Sequence, residues 1–150
     1  MAFDETVAKL CREHAQAQMV DRFPLKRLHL SKDEIQIRKF PVDREKIYEG
    51  ITIHPEKEAM GEGSCQTDDI GYAVAATWVR STGDGIEDID AFDTFRANIR
   101  GMFNNKKPVI TAPIFVCTVQ FGRFVLPKEY KEHYDASSML IRYWSEDERI

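Results

Sequence analysis

The acids Asp68, Asp69, Asp84, Glu87, Asp88, Asp90 and Asp93 are the side chains best suited to chemistry, because carboxylates can gather a hard cation such as Mg²⁺. Their spacing argues against a shared ion. Asp68 and Asp69 precede an extended run and the others follow its far end, about 10 residues or ~33 Å away at ~3.3 Å per residue. The run from Asp84 also lacks calcium-loop spacing, since its twelfth position is Phe95. No metal is expected.

The remaining reactive types are scattered. His14, His29, His54 and His133 form no close ligand pair with one another or with a cysteine. Cys11, Cys65 and Cys117 are odd in number and lack a nucleophile signature, which favours buried thiols in a reducing compartment. Gly61-Glu62-Gly63 and Gly83-Asp84-Gly85 are not phosphate loops: each carries an acid where an anion would be repelled. Arg22, Lys26, Arg27, Lys32, Arg38, Lys39 and Arg44 cluster with Phe23 and Phe40, as a nucleic-acid face would, but Asp21, Asp33, Glu34 and Asp43 interrupt the field.

The chain of 150 residues has a formal charge of -4 and a pI near 5.6, so it carries no general attraction to phosphate. Its 43% hydrophobic and 31% charged residues are those of an ordinary globular domain. No apolar run reaches the ~20 residues of a membrane span, and Asp4 and Glu5 break any signal-peptide order, so a soluble, unexported protein is expected.

Periodicity supplies the elements that must position these residues. Asp4 to about Met19 reads as a helix capped by Asp4. Glu34 to Phe40 and Gly50 to His54 alternate as strands, the second with Ile51 and Ile53 inward. From Ile70, the residues Tyr72, Val74, Ala76 and Trp78 make one bulky face, and Gly71, Ala73, Ala75 and Thr77 make a smooth one that a helix or a neighbouring backbone could approach. A turn at Ser81 to Gly85 leads into a helix whose stripe is Ile89, Phe92, Phe95, Ile99, Met102 and Phe103, acidic at its start and basic at its end. Ile114 to Phe121 and Ser138 to Trp144 complete the strands. The order α-β-β-β-α-β-β predicts one α+β domain over 1–150, two main helices flanking a mostly antiparallel sheet. A long hairpin at 55–67 and an arm at 122–136 stand out as polar connections, the kind that carry binding.

This order, with Ile51-Thr52-Ile53, Asp68-Asp69-Ile70-Gly71-Tyr72 and Phe95-Arg96-Ala97-Asn98-Ile99-Arg100, resembles the tail terminators of tailed bacteriophages, a family of small tail-completion proteins. The resemblance implies a virion structural protein of the tail or neck. It implies no enzymatic activity and no cofactor. Its partners would be further copies of itself in a ring, commonly of six, the tail tube protein, and the head-tail connector or head-closure protein. DNA would only pass through an acidic lumen, and no membrane would be involved. On this reading Glu56, Lys57, Met60, Glu62, Gln66, Asp68 and Asp69 of the hairpin, and Phe124, Lys128, Tyr130 and Tyr134 of the arm, face other proteins. The alternatives are a head-closure or other neck component, a standalone nucleic-acid binder, and a small metal-dependent nuclease or hydrolase. The last would draw on Asp68, Asp69 and a second-strand acid such as Glu34 or Glu56.

Overall fold

A computed structural model of the chain describes residues 4–43, 46–56, 59–62, 67–81, 86–131 and 133–148. Two long strands form its spine: β6 (Thr67–Ser81) pairs antiparallel with β8 (Tyr134–Glu148) from Thr67 opposite Glu148 to Ser81 opposite Tyr134. Three short pieces precede β6: β1 (Ile35–Ile37), then β2 (Val42–Asp43) paired with β3 (Lys46–Ile47). Two more lie beside β6, with β4 (Gly50–Pro55) along 74–79 and β5 (Ala59–Glu62) along 68–71. β7 (Ile114–Phe121) closes the far side, giving the sheet order β1-β4-β6-β8-β7. All pairs are antiparallel except β1 with β4. The expected α+β class and its helix and strand order are present, with β2, β3 and β5 as short additions.

Helices α1 (Glu5–Arg22) and α2 (Ile86–Phe103) pack on one face. Alternation along the strands sends Ile51, Ile53, Tyr72, Val74, Trp78, Met139, Ile141 and Tyr143 to that face, where all are buried beneath Cys11 and Met19 of α1 and Phe95, Ile99 and Phe103 of α2. Burying each such side chain contributes about 1.5–3 kcal/mol. Edge-to-face contacts of Phe23 with Phe95 and of Trp78 with Phe92 lock the layer. The Asp4 carboxylate accepts from the Thr6 and Val7 amides at 2.9 and 3.4 Å, capping α1 as its sequence predicts, and the Asp4 amide donates to the Tyr72 hydroxyl at 3.2 Å.

Some expectations need correction. Ile89 is 60% exposed, so the stripe of α2 begins one turn later, at Phe92. Glu34 closes a capping box with Ser31 in a 3-10 turn, and the strand expected over 34–40 shrinks to Ile35–Ile37. A bulge between Ile114 and Val116 turns Ile114 to the same face as Cys117 and Val119, opposite to strict alternation. The hairpin expected as a loop over 55–67 is strand at Ala59–Glu62, and 63–66 lie outside the described residues. The arm at 122–136 is extended chain, a 3-10 turn at Lys128–Tyr130 and the start of β8.

The strands at the two ends of the order β1-β4-β6-β8-β7 are partly blunted. Beside β7, the Asn105 amide donates to the Cys117 carbonyl at 2.8 Å, the Cys117 amide to the Lys106 carbonyl at 2.8 Å, and the Val119 amide to Asn104 Oδ1 at 3.0 Å. Beside β1, Gln16 Nε2 donates to the Ile35 carbonyl at 2.9 Å. Neither edge offers a free ladder at these positions. Among the described residues no helix is long and apolar enough to cross a membrane.

Gly50 adopts φ 143°, and a Cβ there would stand 2.7 Å from the Glu34 carbonyl oxygen. Gly50→Ala is expected to destabilise the fold by about 1–3 kcal/mol, read as a lower thermal midpoint at unchanged circular dichroism.

Candidate functional site

The acids do not converge. β6 separates Asp69 from Asp90 and Asp93 of α2 by its own length, since α2 follows the far end of the strand. Asp84, Glu87 and Asp88 lie among residues whose side chains are outside the description. Glu34 precedes Ile35, which pairs with Ile51 and through it stands level with Trp78, nine residues or ~30 Å along β6 from Asp69. Glu56 is nearer, with its amide donating to the Ala73 carbonyl at 3.2 Å. Among the described residues no group of three or more His, Cys, Asp or Glu is arranged to hold a metal ion.

The hairpin residues form a ribbon instead. Met60 stands opposite Ile70, Glu62 opposite Asp68, and Asp68 opposite Asp147, while Asp69 lies between Gly61 and Glu146. Lys57 and Gln66 lie outside the described residues. Asp69 and Glu146 are thus like charges directly paired, an unfavourable arrangement, and no described residue forms an ion pair with either. The ribbon extends beyond Tyr72, where the start of α1 is tied down.

The face of the sheet away from the helices holds a polar line that meets Phe124 of the arm. Thr52 and His54, which alternate with Ile51 and Ile53, are fully buried on that face rather than solvent-facing. His54 Nε2 meets Thr77 Oγ1 at 2.9 Å, and Thr77 donates to Ser138 Oγ at 2.9 Å. Phe40 and Phe124 roof this line: their rings are 5.4 Å apart, and His54 is 5.8 Å from Phe40 and 6.4 Å from Phe124. The arrangement resembles a hydrolase relay in residue types alone. The fully buried Thr77 stands between histidine and serine. The smooth strip expected to admit a helix or a neighbouring backbone is instead covered at Gly71 by Trp144 and Arg142, a Cβ there standing 3.1 Å from the indole. Trp144 Nε1 donates to Thr118 Oγ1 at 2.9 Å.

Two buried polar atoms on that face lack a hydrogen-bond partner among the described residues, Thr52 Oγ1 and Arg142 Nε, while the Pro55 backbone lies within reach of the His54 ring. Nearby, Phe40 is 48% and Val125 71% exposed. Lys128 and Tyr130 sit on the 3-10 turn, and Tyr130 packs 6.3 Å from Tyr134 at the start of β8. Of the arm residues singled out by sequence, Phe124 alone joins the His54 cluster. His54 was legible only as an outward strand position.

On the helix face a cleft of about 760 Å³ opens between α1 and the end of α2. Arg22, Lys106 and Lys107 stand at its rim, with His14, Phe103 and Cys117 deeper. His14 Nδ1 lies 2.8 Å from the buried Tyr143 hydroxyl, and burial lowers the His14 pKa and raises that of Tyr143. Cys11 and Cys117 are free thiols, each pushed up to about 12, chiefly by burial. Cys65 lies outside the described residues.

The proposed nucleic-acid cluster is not built as a stacking platform. Phe23 is buried against Phe95, Phe40 is committed to His54 and Phe124, and Arg38 lies 4.5 Å over the Tyr48 ring. Arg44 lies outside the described residues. No protein-family model matches the chain, and neither does any curated protein.

Burial lowers the His54 pKa from 6.5 to about 4, offset in part by the Pro55 backbone. The unfolded chain therefore takes up this proton first. Stability should be full above pH 6.5 and fall by up to about 3 kcal/mol as the pH drops towards 4, with His14 adding a loss of the same sign. Urea titrations across that range should show the slope, and His54→Gln should flatten most of it. The raised thiol pKa values predict that a thiol reagent at pH 8 labels Cys11 and Cys117 only after unfolding, as peptide mapping would detect.

Proposed function

We propose that this chain is a virion structural protein, a tail terminator that forms a ring, caps the finished tail tube and docks it to the head-tail connector. The observation that carries the reading is the concentration of unfinished surface on the helix-free side of the sheet. Thr52 Oγ1 and Arg142 Nε are buried there without partners, the exposed Phe40 packs on His54, and the exposed Val125 follows Phe124 in the chain. A second protein covering this side would bury the exposed Phe40 and Val125 and complete the cover that the aromatic roof begins.

The blunted edges of β1 and β7 favour contact through side chains over strand addition. The net charge of -4 suits a conduit along which DNA must slide without adhering. The resemblance in element order to tail terminators supplies the position in the particle.

Native mass spectrometry of the purified protein, alone and with isolated tail tubes, should yield a closed assembly whose mass is a multiple of 17.4 kDa. Tails assembled without the protein should overrun their normal length. Only monomers in mature particles, or tails of normal length in its absence, would overturn the reading.

A further inference from the structure

We infer that the cleft between α1 and α2 receives the acidic ribbon end of a second copy of this chain, so that copies join head to tail. This deepens the ring reading and rests on it. The cleft rim carries Arg22, Lys106 and Lys107 against one acid, Asp21, and no described residue forms an ion pair with any of the three cations. Its apolar component includes Met102 and Phe103, with Val109 96% exposed at the lining. The cleft is thus a cationic, partly apolar socket of about 760 Å³ that the chain leaves open.

The complementary surface lies on the same chain. Asp69 and Glu146 are directly opposed at the ribbon end, beyond Tyr72, with no cation of the described chain paired to them. Glu62, Asp68 and Asp147 occupy the neighbouring register positions. Opposed like charges weaken the ribbon in a single copy, and lysines from a neighbour would relieve that repulsion. Socket and ribbon are different surfaces, so the contact is heterologous; such contacts repeat, and they close into a ring when the rotation allows. The occupant is accordingly a second copy in preference to a small anion, which would neither use the apolar lining nor answer the ribbon.

The test pairs two variants, Lys106→Glu with Lys107→Glu, and Asp69→Lys with Glu146→Lys. The second keeps a like-charged pair at the ribbon, and thermal melting checks that both variants fold. In sedimentation velocity, alone and on isolated tail tubes, the wild type should assemble and dissociate as salt rises. Each variant alone should self-associate at least roughly tenfold more weakly. Mixing the two should restore assembly, because each reversed ribbon then meets a reversed socket. Variants that assemble like the wild type, or a mixture that stays dissociated, overturn this pairing and leave the ring reading standing. A wild type that stays monomeric in every condition overturns the ring reading itself, and the pairing with it.

Discussion

The antiparallel pairing of β6 with β8 is the constraint from which the remaining structure follows. Its unbroken register from Thr67 opposite Glu148 to Ser81 opposite Tyr134 assigns every side chain of both strands to one of two faces. A slip of one residue would carry Tyr72, Val74, Ile141 and Tyr143 from beneath the helices to the other side. Nothing else in the chain could then fill the core. The pairing also sets the length of the sheet: fifteen residues span ~50 Å, whereas an eighteen-residue helix spans ~27 Å. The strands therefore outrun the layer that covers them, and the surplus becomes the ribbon.

The two sides of this sheet solve burial differently. Under the helices, large apolar side chains interlock with rings and a capped helix start. On the other side, small residues at Gly71, Ala73 and Ala75 lie beneath long neighbours, and a polar line from His54 to Ser138 runs under two phenylalanines. A neutral histidine in such a place depends on low water access and on a hydroxyl that can accept its proton-bearing nitrogen. Keeping Thr77 at the centre of the line fixes the orientation of its neighbours and removes the reactivity that a direct histidine-serine contact would have.

Much of the fold was legible in the sequence because its signals were local. The two-faced run from Ile70 to Trp78, the Asp4 cap and the stripe from Phe92 to Phe103 each follow from spacing alone. What escaped depended on distant partners. β5 contains Gly61 and has no apolar alternation, so only its pairing with β6 makes it a strand. The burial of Thr52 and His54, which alternate with the inward Ile51 and Ile53, was not legible because alternation reports which face a residue takes and is silent on what covers that face. Here the cover comes from Phe40 and Phe124, eighty-four positions apart in sequence. The cleft rim likewise joins Arg22 to Lys106 and Lys107 across most of the chain. Of the interface residues read from sequence, Met60, Glu62, Asp68 and Asp69 take register positions in the pairing of β5 with β6, Phe124 stands beside Phe40, and Lys128 and Tyr130 lie on a separate turn.

The plugged margin of β7 carries a consequence for how crowded copies behave. Backbone amides recognise any other backbone, so an open margin would let molecules add without limit and without choosing a partner. With Asn104, Asn105 and Lys106 occupying that row at Cys117 and Val119, this margin of β7 is denied as a template there. Recognition of that margin by another molecule would then have to rest on side-chain shape and charge.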